Sequence, residues 1–169
     1  ETAMGYDFSE INTDDFIALC REIGAEPFIT INPCWNTPDE NAAWVEYCNG
    51  DVSTPYGKLR ANRGHQEPYN VQFWSLGNEF GYGHMEGDNT PAGYCQIALE
   101  NGKKMLEASP GLSLCSSGPY PNKEWAEFSA KPLAGISQMI SQHYYGYDPH
   151  YTDLSTVEEE YNRCMASVS

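Results

Sequence analysis

Apolar residues in this chain switch period again and again, and that switching limits the fold more than any other feature. "NTDDFIALCREIGAE" (12–26) carries Phe16, Leu19, Cys20 and Ile23 at helical spacing, with Asn12 or Thr13 as cap and Gly24 as stop. "EPFITIN" (26–32) is a short β-rich run. "TPDENAAWVEYCNG" (37–50) opens as a capped helix: Thr37 is the cap, Pro38 sits in the first turn, and Glu40 three residues on completes a capping box. Residues 51–70 read as a polar loop stiffened by Pro55 and Pro68, and "VQFWSLG" (71–77) as the next strand. A second Thr-Pro start at Thr90-Pro91 opens a helix with Tyr94, Ile97, Ala98 and Met105 on one face, stopped by Pro110-Gly111. There follow a strand at 112–118, a short helix at 122–131, a strand within 136–146 and a helix at 152–168.

Strict alternation of helix and strand implies parallel strands covered by helices. Right-handed crossovers leave an open doubly wound sheet or a barrel. No glycine-rich phosphate cradle follows any strand, which disfavours the nucleotide-binding version of the open sheet. Three strands instead end in polar or aromatic residues: Asn32 with Trp35, Asn78 with Glu79, and His143 with Tyr145. A (β/α)8 barrel of the TIM type gathers strand C-termini around one mouth, where such residues meet. Four strands do not close a barrel, which takes eight strands and ~250 residues. The chain also begins in mid-element and ends inside a helix without a cap. The expectation is therefore one partial barrel domain over 1–169, an interior piece of a larger protein.

Formal charge is −15, from 24 acids against 9 bases, which argues against a nucleic-acid partner. No apolar run approaches the ~18 residues needed to span a membrane, so no membrane partner is expected. The six cysteines, at 20, 34, 48, 95, 115 and 164, show no zinc spacing and read as free thiols. No two-His-plus-carboxylate cluster is evident, so neither a catalytic metal nor another cofactor is expected. No Asn-x-Ser/Thr sequon demands secretion, which favours a cytoplasmic over a secreted protein, while in an interior piece the lack of a visible leader says little about compartment.

The stretch "FWSLGNEFGYGHMEGD" (73–88) carries the sharpest chemical question. A carboxylate at the end of a buried strand is costly to hide from water, so Glu79 is either salt-bridged at a rim or reactive. Asn78 either caps a turn or binds a ligand. His143 is either a satisfied core histidine or a hydrogen-bonding group two residues before Tyr145. Trp35 either packs or stacks on a ligand face. Trp74, inside a strand, reads as core. His84 is placed to line a cleft, whereas Glu86, Asp88 and the run Glu158-Glu159-Glu160 read as solvated acids; His65 and His150 receive no role.

"GAEPFITIN", "WVEYCNG", "GHQEPYNVQFWSLGNE" and "ISQHYYG" together resemble glycoside hydrolase family 51, the α-L-arabinofuranosidases, from about Asn12 to Tyr147. That resemblance implies a barrel whose acid/base glutamate ends strand four and whose nucleophilic glutamate ends strand seven. The strands here would then be three to six, with strands one, two, seven and eight, and the nucleophile, outside this chain. Glu79 matches the acid/base position, and Asn78 the asparagine that bonds the sugar 2-hydroxyl. His143 and Tyr145 match the strand-six pair that supports the nucleophile and sugar. The loop "FGYGHMEGDNT" departs from the usual family wording and leaves substrate preference open.

The implied activity is retaining removal of terminal arabinofuranose from plant oligo- or polysaccharides. In such chemistry one carboxyl attacks the anomeric carbon while the other protonates the leaving oxygen and later activates water. An acid in that role needs a pKa above the ~4.3 of a free glutamate. Two alternatives stand beside it: another specificity on the same scaffold, such as β-xylosidase or endoglucanase, and a non-catalytic fragment lacking the nucleophile. A half barrel further implies a missing half or an oligomeric partner to cover its open edges.

Overall fold

The computed structural model describes residues 10–81, 90–118, 123–141 and 143, with 159, 162 and 166. Its elements run α1 (Thr13–Glu22), β1 (Phe28–Thr30), α2 (Pro38–Asn49), α3 (Pro55–Asn62), β2 (Phe73–Leu76), α4 (Pro91–Ala108), β3 (Ser113–Ser117), α5 (Lys123–Leu133) and β4 (Met139–Ser141). The four strands form one sheet in sequence order, and every neighbouring pair is parallel. The helix expected over 152–168 falls almost wholly outside the described residues.

Helix starts follow the local chemistry. Asn12 accepts from the backbone N–H groups of Asp14 and Asp15, and Asp15 answers with a bond to the Asn12 N–H. Thr37 and Glu40 make the same reciprocal box at α2, followed by Pro38 at the first turn. Such caps satisfy amide donors that the first helical turn cannot pair internally.

One expectation is corrected here: residues 51–70 are not all loop, because α3 occupies 55–62. Its start is a third Thr-Pro cap, with Thr54 Oγ1 accepting from the Gly57 N–H. The helix escapes a periodicity search because its buried positions are Gly57 and Arg60 rather than large apolar residues. Arg60 is fully buried and donates to the carbonyls of Tyr47 (2.8 Å), Gly50 (2.9 Å), His65 (3.1 Å) and Gln66 (3.2 Å). It thus ties the turns on both sides of α3 to the end of α2.

Two smaller corrections concern helix faces and ends. In α1, Ile17, Cys20 and Asp14 are buried, while Leu19 and Ile23 face outward. Asp14 turns that face inward because Tyr47 (2.6 Å), Tyr69 (2.9 Å) and Arg63 (3.1 Å) all donate to it. α5 extends past Lys131 through Pro132 to Leu133, whose side chain is buried.

The sheet has two unlike faces, as side chains alternate along each strand. Ile29, Ile31, Trp74, Leu76, Leu112 and Leu114 are buried with Val45 and Cys48 of α2 and Tyr94, Ala98 and Met105 of α4. A β-carbon at Gly102 would lie 2.6 Å from Ile136 Cδ1, so α4 lies flush against its neighbours there. Buried Asn41 donates to Asn101 (2.8 Å), linking α2 to α4 through a buried amide pair whose other ends bond Asn36 and the Ile97 carbonyl. Along the other face Phe28 pairs in register with Phe73, and Thr30 with Ser75, Cys115 and Met139. Phe28, Phe73 and Met139 are 50 %, 36 % and 38 % exposed while Ser75 and Cys115 beside them are buried, so this face is partly open where a closed barrel would be filled.

Candidate active site

All strands point one way, so their C-terminal ends share one rim, and the turn after β2 lies on it. Gly77 has φ +98°, and a β-carbon there would sit 2.4 Å from Phe80 Cε2 and 3.4 Å from Pro33 Cγ. Glycine is therefore required on both conformational and steric grounds. Ser75 Oγ donates to the Gly77 carbonyl (2.8 Å) and steers the same turn. Phe80 turns back into the core, fully buried, 4.7 Å from the Tyr94 ring. Between these anchors Glu79 is held at φ +53°, in the left-handed region that non-glycine residues rarely adopt. Burial of Phe80 on one side and the Gly77 turn on the other fix this conformation. Backbone strain of this kind gathers at functional sites.

A second anchor sits beneath the turn. The Tyr94 hydroxyl donates to the Leu76 carbonyl (3.1 Å) and accepts from the Ser117 N–H. It bridges the last rung of β2 and β3, where Leu76 and Ser116 are partners. Burial pushes the Tyr94 phenol well above its ordinary 10.0. The strand end that leads into Glu79 is thus tied to its neighbour by a buried, neutral hydroxyl.

Glu79 and His143 are 64 positions apart in sequence and adjacent in space: His143 Nδ1 lies 2.9 Å from Glu79 Oε1. Their side chains are 21 % and 23 % exposed, enough for a ligand to reach and little enough to strengthen their interaction. His143 Nε2 lies 3.0 Å from Ser141 Oγ, two residues earlier on β4. Ser141 is a residue that composition and spacing did not single out. The alternation of side chains along a strand, which sets residues two apart on one face, is the signal that could have found it.

The other expected residues fall as follows. Asn78 is exposed on the rim beside Glu79. Trp35, in the loop after β1, is 72 % exposed and so is not packed in the core. Trp74 is fully buried, as expected of a core residue. His84 and Tyr145 lie outside the described residues, as do Glu86, Asp88 and His150. His65, given no role, stands 3.9 Å from Asp14, away from the rim.

Among the described residues, no group of three or more His, Cys, Asp or Glu side chains could hold a metal ion. Cys20, Cys34, Cys48, Cys95 and Cys115 are free, and burial pushes the thiols of Cys48, Cys95 and Cys115 up, Cys48 to about 12. Such thiols are poor nucleophiles near neutrality. At the rim the structure sets an imidazole nitrogen against one oxygen of a partly shielded carboxyl, a pairing suited to proton transfer.

Known proteins similar to this chain fall in one family. The family described as "Alpha-L-arabinofuranosidase 1 domain" matches residues 4–163. The chain is 34 % identical over 128 residues to alpha-L-arabinofuranosidase C of Emericella nidulans, covering 76 % of this chain and 25 % of that protein. Among solved structures it is similar to an alpha-L-arabinofuranosidase from Thermotoga maritima in complex with arabinose, at TM-score 0.83 and 38 % identity, covering 94 % of this chain and 33 % of that one. It is similar, too, to a thermostable GH51 enzyme from Thermotoga petrophila, at TM-score 0.82 and 38 % identity, covering 92 % and 32 %. The chain thus spans about a quarter to a third of the length of these relatives.

Proposed function

Because the chain belongs to the α-L-arabinofuranosidases of glycoside hydrolase family 51, we propose that it supplies the acid/base half of a retaining α-L-arabinofuranosidase site. Glu79 is the general acid/base. The observation that carries the reading is the 2.9 Å contact between Glu79 Oε1 and His143 Nδ1 across two strand ends. A left-handed backbone at Glu79 supports it, since a residue with a purely solvated role has no need of one.

The mechanism follows from two carboxyls about 5–5.5 Å apart. A nucleophilic carboxylate attacks the anomeric carbon, the bond to the leaving oxygen breaks, and Glu79 gives that oxygen its proton. The resulting glycosyl-enzyme ester is then opened by water, whose proton Glu79 takes back. Asn78, exposed next to Glu79, bonds the sugar 2-hydroxyl, and Trp35 offers an aromatic face at the entrance. Tyr145 and His84 are assigned to the substrate site on the sequence alone. Substrates are arabinose-containing oligo- or polysaccharides, whose neutral sugars suit a site on a strongly acidic chain.

The domain is one portion of a (β/α)8 barrel. Four parallel strands with Phe28, Phe73 and Met139 open to solvent support further strands that cover this face and carry the nucleophile. By the two-carboxyl route the 169-residue chain alone is inactive, so measurable hydrolysis by the pure chain would contradict this assignment.

The test is Glu79→Ala in the full-length protein, assayed on a panel of alkyl and aryl glycosides. Turnover of α-L-arabinofuranosides with poor leaving groups should fall at least ~1,000-fold, in line with removal of acid assistance and base together. An unchanged rate removes Glu79 from the mechanism. Faster wild-type cleavage of β-xylosides or β-glucosides than of arabinofuranosides would reassign the substrate while keeping the carboxyl chemistry.

A further inference from the structure

We propose that Ser141 is a positioning residue that fixes the tautomer of His143, holding the single ring proton on Nδ1 toward Glu79. This inference rests on the assignment of Glu79 as the acid/base. It starts from one observation: both ring nitrogens of His143 are engaged by protein groups, Nδ1 by Glu79 Oε1 at 2.9 Å and Nε2 by Ser141 Oγ at 3.0 Å.

The serine is well held. It pairs with Ser117 in the β3–β4 ladder, and its carbonyl accepts from the Gly118 N–H at 3.1 Å. Ser141 closes β4, and the ring of His143, two residues on, brings Nε2 within 3.0 Å of the serine hydroxyl. Among the described residues, the charged group within ion-pair distance of the ring is Glu79.

Proton accounting then selects the tautomer. In the second half of a retaining reaction Glu79 is a carboxylate, and it accepts a hydrogen bond from Nδ1–H. In the first half its transferable proton sits on Oε2, facing the leaving oxygen. Oε1 is then the carbonyl-like oxygen and still accepts from Nδ1–H. One arrangement of the ring therefore serves both halves. The only proton transferred passes from Oε2 to the leaving oxygen and returns to Oε2 from water. For this to hold, Nε2 must be bare, and the Ser141 O–H donates to it. The hydroxyl proton occupies the place where a second ring proton would bind. A doubly protonated ring beside Glu79 would keep the carboxyl ionised and remove the acid. A carboxylate in place of the serine would invite that second proton; a hydroxyl, able to donate, does not.

The prediction for Ser141→Ala is specific in pH. Without the hydroxyl, a proton is drawn onto the ring at the expense of Glu79, which depletes the active form wherever the pair holds one proton. Where the pair holds none, the ratio of active to unprotonated enzyme is unchanged. In the full-length enzyme, kcat/KM for an alkyl α-L-arabinofuranoside should therefore fall at and below the optimum and converge on wild type along the alkaline limb. The loss should be at least about threefold larger on the acid side, equivalent to half a pH unit of proton affinity. Ser141→Thr, which keeps the hydroxyl, should restore the profile. An aryl substrate with a good leaving group, needing little acid help, should show a much smaller effect.

A loss by one factor at every pH, or a Ser141→Ala profile that superimposes on wild type, overturns the proposal. Independently of any variant, side-chain ¹⁵N spectra of the wild-type enzyme should show Nδ1 protonated and Nε2 bare at His143. A proton on Nε2 also overturns it. Failure of the underlying reading looks different: Glu79→Ala would then leave cleavage of the alkyl substrate untouched. An inactive Glu79→Ala with an unshifted Ser141→Ala removes the serine's role alone.

Discussion

Tyr94→Phe tests how the strand end beneath Glu79 is held. The substitution removes one oxygen and keeps the ring, with Phe80 at 4.7 Å and Trp125 at 5.8 Å still packed on it. Two buried backbone groups lose their partner, the Leu76 carbonyl and the Ser117 N–H. Stranding a buried polar group costs ~1–3 kcal/mol, so the pair is worth about 2–4 kcal/mol after allowing for some relaxation. Leu76 lies three residues before Glu79, so the loosened rung displaces the turn that carries it, and if Glu79 is the acid/base, misplacement on that scale lowers kcat roughly tenfold or more.

Urea unfolding and kcat on an aryl arabinofuranoside, both in the full-length protein, measure the two effects. The pH dependence adds a check on cause. Burial raises the Tyr94 phenol, so its contribution is complete below the ordinary 10.0 and is lost as pH rises toward the folded value. The gap between wild type and Tyr94→Phe should therefore narrow above about pH 10. A stability loss under ~0.5 kcal/mol with unchanged kcat would refute the reasoning, because it would mean that the bridged groups find other partners.

Further perturbations probe other supports. Arg60→Met should destabilise by about 3–5 kcal/mol, since four carbonyls lose a buried donor, and Arg60→Lys should not rescue it because an ammonium lacks the planar fork; urea midpoints of the two variants decide this. Asp14 is held below its ordinary 3.8: burial alone would raise it, but bonds from Tyr47, Tyr69 and Arg63 together outweigh burial. Its contribution is present above that ordinary value and lost as pH falls through the folded one, so the stability gap between wild type and Asp14→Asn should shrink below about pH 4. Gly77→Ala forces the Phe80 ring from its slot and strains φ, and should destabilise by about 1–3 kcal/mol with a parallel loss of activity. Wild-type behaviour in both assays would show that Phe80 does not fix the turn.

The alternation of periods was enough to read the parallel sheet and its strand order, because each strand is a short apolar run bounded by strong helix caps such as Thr37 and Thr90. Glu79 and His143 were legible for a related reason. Parallel strands place their C-termini on one rim, so two polar residues at strand ends are candidates for contact without any knowledge of distance. α3 was hidden because its anchor is Arg60, a charged residue whose burial is satisfied by backbone carbonyls and so leaves no apolar period. The inward turn of Asp14 was hidden likewise, as its partners come from α2 and from the segment after α3. Ser141 was passed over because a serine in a strand carries no signal of its own, and its role exists only relative to the ring two residues on.

The most direct measurement of the central claim is product analysis of full-length Glu79→Ala supplied with azide. If Glu79 is the acid/base, its loss stalls the glycosyl-enzyme formed from a substrate with a good leaving group. Azide needs no base, so it should restore turnover and yield α-L-arabinofuranosyl azide with retained configuration. Absence of rescue together with wild-type hydrolysis, or an azide product of inverted configuration, would contradict the account.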